Sequence, residues 1–245
     1  MFKNKKHMLA LTRSAIERYH MIDEGDKIAI GVSGGKDSLT LLCLMRELQR
    51  FYNKRFSIIA LTIDPCFGGS AADYSEVESL CRQLGIQYIV NVKPFGGILF
   101  GAEGPRNPCS LCAKLRRGCL HNIAVEHGCN KLALGHHQDD AVETFLMNLL
   151  NGGTAACFKP VTHMSRKNIY VIRPLIFAEE KEVASFAHLN SLPVVKSACP
   201  ADGITERARI KSLIAQLSKG YDALPKKLAG ALQRGNISGW GLHSK

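Results

Sequence analysis

The sequence predicts an α/β fold, a doubly wound and mostly parallel sheet with helical extensions at the N- and C-terminal ends. Three observations support this prediction. Short apolar runs alternate with helical patterns, single buried strands separate the helices, and a glycine-rich turn follows the first apolar run. Ligands of such folds bind at the carboxyl ends of the strands, so this turn marks the expected site.

The predicted elements follow in a regular order. The strands are KIAIGV, FSIIALTID, QYIVNV and KLALGH, and helices are expected from about Leu39, around Tyr74 to Leu84, from about Cys109 and from about Asp139. The strand pattern NIYVIRPL and the polar helix AEEKEVASFAHLN come next. The segment from Gly96 to Pro108, rich in glycine and proline, is expected to be a long flexible loop.

Basic helical patterns lie on both sides of this core. One extends from about Lys5 to His20, and two more reach to about Arg234. We therefore divide the chain into an N-terminal basic helical extension (residues 1–24), a catalytic domain (25–200) and a C-terminal helical segment (201–245).

Composition narrows the class of protein. With 245 residues, 46% of them hydrophobic, the chain can form a sizeable core, and its net charge of +11 favours a polyanionic partner over a generic basic surface. No apolar run approaches the roughly 18 residues of a membrane span, and the basic N-terminus lacks a secretory pattern. We expect a cytoplasmic protein without membrane contact. The nine cysteines, an odd number, do not suggest a disulfide framework.

The stretch SGGKDS, residues 33–38, follows the first strand. It is not a Walker A loop, because Asp37 follows Lys36, and it is not a GxGxxG motif. Gly34 and Gly35 allow close approach of an anion, to which Ser33, Lys36 and Ser38 add donors. These features predict a phosphate or pyrophosphate site. The alternative is a plain Gly-Gly turn in which Ser38 caps a helix.

A second motif, LGHHQDDAVET, spans Leu134 to Thr144. Asp139 and Asp140 come after a strand and open a helix, where carboxylates can hold Mg²⁺ that bridges phosphates. The same acids could instead complement the helix dipole. His137 is expected to be a packed or solvent-facing histidine.

The cysteines form a third pattern. Cys109 and Cys112 make a CxxC at the start of a helix, where we expect lowered thiol pKa values. Cys199, in SACPADG, is a distant third candidate. Three thiolates suit an iron–sulfur cluster with one open iron or a persulfide relay, while a zinc site completed by a histidine and a redox dithiol remain alternatives.

The CxxC helix carries a predicted buried stripe. Leu111, Leu115, Cys119 and Ile123 recur every four residues and are expected in the core. Core positions are also expected for Cys43, Cys81 and Cys129. An exposed positive face is expected for Lys114, Arg117 and His121.

The loop SGGKDS resembles the pyrophosphate-binding loop of the PP-loop ATP pyrophosphatases, which split ATP to AMP and pyrophosphate to adenylate a substrate. The resemblance implies a Rossmann-like domain, ATP and Mg²⁺, with Asp64 near the adenosine, Asp139 at the Mg²⁺ and Lys36 and Asp139 as catalytic residues. The implied ATP-binding residues are Ser33, Gly34, Gly35, Lys36, Asp37, Ser38, Asp64, Gly135, His136 and Asp140.

Together with CSLCAKLRRG and VIRPL, these motifs resemble the tRNA 2-thiocytidine synthetases over most of the chain. The resemblance implies that Cys109, Cys112 and Cys199 hold a 4Fe-4S cluster and act in catalysis, that the partners are tRNA and a sulfur donor such as a cysteine desulfurase, and that a homodimer can form. Lys114, Arg116 and Arg117 are the expected RNA contacts, although Arg116 could instead stabilise charge near Cys112.

The chain departs from this family at one point. Family members carry a second CxxC-like pair near the later cysteine, whereas only Cys199 stands here, which leaves the modified nucleoside open. The predicted activity is adenylation of the C2 oxygen of a pyrimidine, most simply a cytidine of the anticodon loop, and its replacement by sulfur. The alternatives are a PP-loop enzyme that uses an amine nucleophile and a non-catalytic nucleotide-binding or redox module.

Overall fold

The computed structural model describes residues 2–101, 103–105, 107–201, 203 and 205–241. It contains a six-stranded sheet with the order β3-β2-β1-β4-β6-β5. The strands are β1 Asp26–Gly31, β2 Phe56–Asp64, β3 Gln87–Val92, β4 Lys131–Ala133, β5 Val161–Met164 and β6 Ile169–Ile172. Only the β5–β6 pair is antiparallel. The predicted doubly wound, mostly parallel sheet is confirmed.

The helices cover both faces of this sheet. They are α1 Lys5–Arg18, α2 Lys36–Leu48, α3 Ser75–Leu84, α4 Gly96–Phe100, α5 Pro108–Glu126, α6 Gln138–Gly152, α7 Glu180–Leu189, α8 Glu206–Leu217 and α9 Leu224–Arg234. Short 3-10 helices lie at Phe67–Gly69 and Ile237–Gly239. None of the helices so described is long and apolar enough to cross a membrane.

Two elements differ from the sequence prediction. The segment expected to be a loop from Gly96 to Pro108 contains α4, because Leu99 is apolar and packs into the core; residues 102 and 106 lie outside the described part. Strand β5 was not predicted. It lies at the edge of the sheet and is only partly buried, so its sequence lacks the continuous apolar run of a central strand.

The core has two large parts, one on each face of the sheet, and a small third cluster where α6 packs against α8 and α9. On one face, α1, α2 and α7 pack over Ile28 and Ile30; on the other, α5 packs over Ala29. Trp240, near the C-terminal end, is fully buried in the first part, and its Nε1 donates to the Phe158 carbonyl at 2.7 Å. Both terminal regions therefore contribute to the main core, and the boundaries at residues 24 and 200 stay a prediction.

A buried ion pair lies at the amino ends of β1 and β4, whereas the predicted site lies at the carboxyl ends of the strands. The Lys131 ammonium lies 2.7 Å from Asp26 and 2.8 Å from Asp23. The side chains of Lys131 and Asp26 are only 6% and 4% exposed. Removing one member of such a pair leaves a buried charge without its counter-charge, which is costly.

We expect Lys131→Met to lower the free energy of unfolding by about 3 kcal/mol, because Asp26 would keep a buried charge without its cation. Urea denaturation measures this value. The control is Arg55→Met, which removes the Arg55–Glu24 pair whose side chains are 94% and 54% exposed; its cost should stay below about 1 kcal/mol. Equal losses of unfolding free energy in Lys131→Met and Arg55→Met would contradict the conclusion that the buried Lys131–Asp26 pair matters more for stability than an exposed pair.

Candidate active site

The loop between β1 and α2 is held by its own serines. The Ser33 N–H donates to Ser38 Oγ at 3.1 Å, and that hydroxyl donates to the Gly35 carbonyl at 2.9 Å. Helix α2 begins at Lys36, so its first N–H groups have no acceptor within the helix. They form an anion-binding helix terminus at the carboxyl end of β1.

Two glycines let neighbouring backbone approach this loop. Gly34 has a φ of +83°, and a Cβ added there would lie 2.9 Å from the Val195 Cβ. A Cβ at Gly135 would lie 2.9 Å from the carbonyl of Asp37 and 3.0 Å from the Ser38 nitrogen. A larger residue at either position would push the phosphate loop away from its neighbours.

The contact at Gly34 connects the loop to the segment that carries Cys199. The Val195 N–H donates to the Gly34 carbonyl at 2.9 Å. Residues 195–198 then continue along the wall of a cavity of about 300 Å³ that the loop also lines. This main-chain bond brings a distant cysteine segment to the phosphate loop.

The second motif packs directly behind the loop. The centroids of the His136 and Phe158 rings lie 5.1 Å apart. The Arg173 guanidinium carbon lies over the same phenyl ring, 4.9 Å from its centroid. Burial, together with the charges of Arg173 and Arg207, lowers the pKa of His136 to about 3. His136 is therefore a neutral ring, and its buried Nδ1 has no hydrogen-bond partner among the residues described.

His137 and Asp140 start α6. The His137 N–H donates to Asp140 Oδ2 at 3.0 Å, and the Asp140 N–H donates to His137 Nδ1 at 3.4 Å. This capping box buries His137, so of the two expected environments the packed one is correct. Arg207 of α8 adds bonds to Asp140 Oδ1 at 3.2 Å and to Glu143 at 3.1 Å.

Lys36 belongs to an acidic cluster between the loop and α7. Its ammonium lies 3.1 Å from Asp37 Oδ1 and 3.2 Å from Glu180 Oε1, and Lys211 binds the other Glu180 oxygen at 2.6 Å. Burial lowers the pKa of Lys36, but Asp37 and Glu180 outweigh it, so the pKa is raised. The Glu180 N–H also donates to Asp139 Oδ2 at 2.7 Å.

Asp64 holds the loop that follows β2. Its two carboxylate oxygens accept from the Cys66 N–H at 2.8 Å and from the Ala72 N–H at 2.7 Å. The side chain lines the same cavity of about 300 Å³ as Ser33, Gly35, Tyr74 and Arg116. Asp64 therefore shapes the cavity wall, and its role toward adenosine stays a prediction.

The three candidate thiols are neighbours in sequence of residues that line this cavity: Cys199 follows Ala198, and Cys109 and Cys112 precede Arg116 on α5. Cys109 is exposed, Cys199 is half-buried and Cys112 is 7% exposed. Burial raises the pKa of Cys112; Arg116 acts against this, and Cys199 and Cys109 add to it. The expected lowering at the helix N-terminus is wrong for Cys112, because desolvation outweighs the helix dipole. Within the described ranges, no three His, Cys, Asp or Glu side chains converge on one point.

Helix α5 turns a different face to the core from the one predicted. Leu111 and Leu115 are each 37% exposed, whereas His121 is 7% exposed. The less exposed face carries Cys112, Arg116 and Ile123: Arg116 lines the cavity, and Ile123 in the second half of α5 packs on the sheet. Cys119 is partly buried, and Cys43, Cys81 and Cys129 are buried as predicted.

The structure thus gathers the predicted residues in two groups. Around the loop lie Lys36, Asp37, Gly135 and Asp139, and around the cavity lie Ser33, Asp64, Arg116 and the segment to Cys199. Lys114 and Arg117 are exposed and are not among the described residues that line the cavity. Sequence reasoning missed Glu180 and Tyr74, since an acid in a helix first turn and an aromatic before a helix are common without a site.

The fold and its phosphate loop define a PP-loop protein, and the PP-loop domain family matches residues 7–217. A tRNA-cytidine(32) 2-sulfurtransferase of Syntrophotalea carbinolica is 41% identical over 230 residues, 93% of this chain and 87% of that protein. A protein of the same name from Geobacter metallireducens is 39% identical over 221 residues, 89% of this chain and 85% of that protein. The chain therefore belongs to the tRNA-cytidine 2-sulfurtransferase family of PP-loop enzymes.

Solved structures agree with this assignment. The U34-tRNA thiolase NcsA of Methanococcus maripaludis, determined with its [4Fe-4S] cluster, superimposes with a TM-score of 0.77 at 26% identity and covers 94% of this chain and 79% of that one. An NMN synthetase of Francisella tularensis, 14% identical with a TM-score of 0.52, shares the fold. The predicted family and the predicted class of enzyme, a sulfurtransferase, are confirmed.

We expect Gly135→Ala to lower kcat/KM for AMP formation about a hundredfold, because the added methyl group would displace the Asp37–Ser38 backbone that faces the phosphates. The control is Gly152→Ala at the far end of α6, where the nearest atom to an added Cβ is 3.9 Å away. Steady-state assays of AMP release compare the two. Equal activity of Gly135→Ala and Gly152→Ala would show that catalysis tolerates a displacement of the Asp37–Ser38 backbone.

We expect Glu180→Gln to lower kcat/KM for ATP about fivefold, the factor that about 1 kcal/mol represents. An ammonium has three donors, so Lys36 can retain Asp37 and Glu180 and still bind a phosphate. Lys211→Met is the matched control, because it removes the 56% exposed partner of Glu180 and leaves Lys36 in place. If Glu180→Gln and Lys211→Met lose kcat/KM equally, the effect of Glu180 comes from its bond to Lys211 of α8 and not from positioning Lys36.

Proposed function

We propose that this protein is an ATP-dependent tRNA sulfurtransferase that replaces the C2 oxygen of cytidine 32 with sulfur. The observation that carries the proposal is one cavity that the phosphate loop shares with Arg116 of the CxxC helix and with residues 195–198 next to Cys199, a segment that the Val195–Gly34 bond joins to the loop. A nucleotide at the loop and a sulfur atom at the thiols would then meet on the same base.

The first step is adenylation. The C2 oxygen attacks the α-phosphate of ATP, an O–P bond forms, and pyrophosphate leaves toward the loop. Lys36 and the first N–H groups of α2 would stabilise the departing charge. Asp139 is the proposed Mg²⁺ ligand: one of its oxygens accepts from Glu180, and the other has no bond recorded in the described residues.

The second step is transfer of sulfur. A sulfur nucleophile delivered at the thiols attacks C2, the C–O bond breaks, and AMP leaves with the oxygen. Cys109, Cys112 and Cys199 would hold the 4Fe-4S cluster. Their donor set fits it in chemistry, because all three are free thiols, the ligand type that holds iron–sulfur clusters. Bound there, a cluster with three cysteine ligands supplies an open iron that can carry the sulfur.

The RNA would bind through positive charge. The net charge of +11 and the exposed Lys114 and Arg117 on α5, beside the cavity, support phosphate contacts that position the tRNA. The target base would be turned out of its stack to reach the cavity. We extend the proposal to a cysteine desulfurase as sulfur source and to a homodimer as the assembly.

The cysteines provide the decisive test. In anaerobic preparations we expect iron and acid-labile sulfide in the wild type, and their loss together with 2-thiocytidine formation in Cys112→Ala and Cys199→Ala. Cys119→Ala is the control, because this partly buried thiol lies on the same helix away from the cavity. Mass spectrometry of tRNA with and without cytidine at position 32 identifies the product.

The same variants separate the competing class of enzyme. A PP-loop enzyme that uses an amine nucleophile has no need of the three thiols. Full activity of Cys112→Ala and Cys199→Ala, with AMP formed and no sulfur in the tRNA, would replace the proposed function by that one. Zinc without labile sulfide in the wild type would remove the cluster from the proposal.

A further inference from the structure

The three adjacent cations of α5 face different surroundings. Lys114 and Arg117 are exposed, whereas Arg116 is half-buried and lines the cavity of about 300 Å³ together with Ser33 and Gly35 of the phosphate loop. A helix rotates about 100° per residue, so neighbours in sequence point in different directions. Arg116 is therefore separated from the surface that would meet an RNA backbone.

Among the described residues, no carboxylate pairs with the Arg116 guanidinium. No hydrogen bond or ion pair of its guanidinium occurs among the residues that the structure describes. The carboxylate that shares the cavity, Asp64, already accepts two backbone N–H groups. A half-buried guanidinium without a counter-charge is a ready binding group for a phosphate, which it can hold through two parallel bonds.

The position of Arg116 indicates which phosphate of the reaction it would bind. It lies one helical turn beyond Cys112 and lines the cavity together with Ser33 and Gly35, whereas Lys36 of the same loop is paired with Glu180. Its positive charge acts on both the Cys112 thiol and the Tyr74 hydroxyl. The other cation of the lining, Lys196, is exposed at the rim. Pyrophosphate leaves toward the loop, so the group between loop and thiols is the phosphate that stays on the base.

We propose that Arg116 is a catalytic residue that binds the phosphate of the adenylated base and stabilises AMP as it leaves, and is not a contact to the tRNA backbone. This inference rests on the proposed function. When the C–O bond breaks, the negative charge on the AMP phosphate increases, and the guanidinium neutralises it without proton transfer.

Direct binding of AMP to the metal-free protein without tRNA tests the proposal. We expect Arg116→Ala to weaken AMP binding at least about tenfold, the loss of one charge-assisted contact, and Arg116→Lys to restore part of it. Arg117→Ala, the adjacent exposed cation, should leave AMP affinity unchanged, weaken tRNA binding and reduce its salt dependence by about one phosphate contact. Isothermal titration and filter binding at several salt concentrations give these values.

The two proposals fail in different ways. Arg116 would be an RNA contact if Arg116→Ala weakened tRNA binding as Arg117→Ala does and left AMP binding intact. If Arg116→Ala and Arg117→Ala lose the same AMP affinity, Arg116 contributes only non-specific positive charge. A wild type that adenylates tRNA but never thiolates it would overturn the proposed function, while the effect of Arg116 on AMP would persist.

Discussion

The site depends on the close approach of backbone to the phosphate loop. Backbone of two other segments lies against the loop: Val195 donates to the Gly34 carbonyl, and Gly135 lies against Asp37 and Ser38. Neither position has room for a side chain. These contacts place the thiol-bearing segment and the second motif around the carboxyl end of β1, so every later chemical role depends on them.

Opposite charges hold the C-terminal helices to this centre. Arg207 and Lys211 of α8 reach Asp140, Glu143 and Glu180, which belong to α6 and α7. The acids around the loop therefore have cations both in the loop and in α8. A site that binds a polyanionic nucleotide with carboxylates nearby requires such compensation, since unpaired acids would repel the phosphates.

The cavity combines two chemical environments within a short distance. Ser33 and Gly35 bring the phosphate loop and its helix terminus to the cavity, and Arg116, whose charge acts on the Cys112 thiol, brings the CxxC helix to it. Burial raises the pKa of the Cys112 thiol, and the charge of Arg116 acts against this. Binding a soft metal centre at these thiols would require their deprotonation.

The amino-acid sequence by itself determined the sheet, the phosphate loop, the second motif and the family, because each depends on local patterns of apolar, glycine and charged residues. It did not determine which face of α5 points inward: the four-residue apolar stripe predicted Leu111 and Leu115, yet Cys112 is buried and Arg116 lines the cavity. Nor did it show that Glu180 binds Lys36 across 144 positions or that Val195 pairs with Gly34. Such contacts join elements far apart in sequence, and only the packing of α5, α7 and the segment before Cys199 around one cavity decided them.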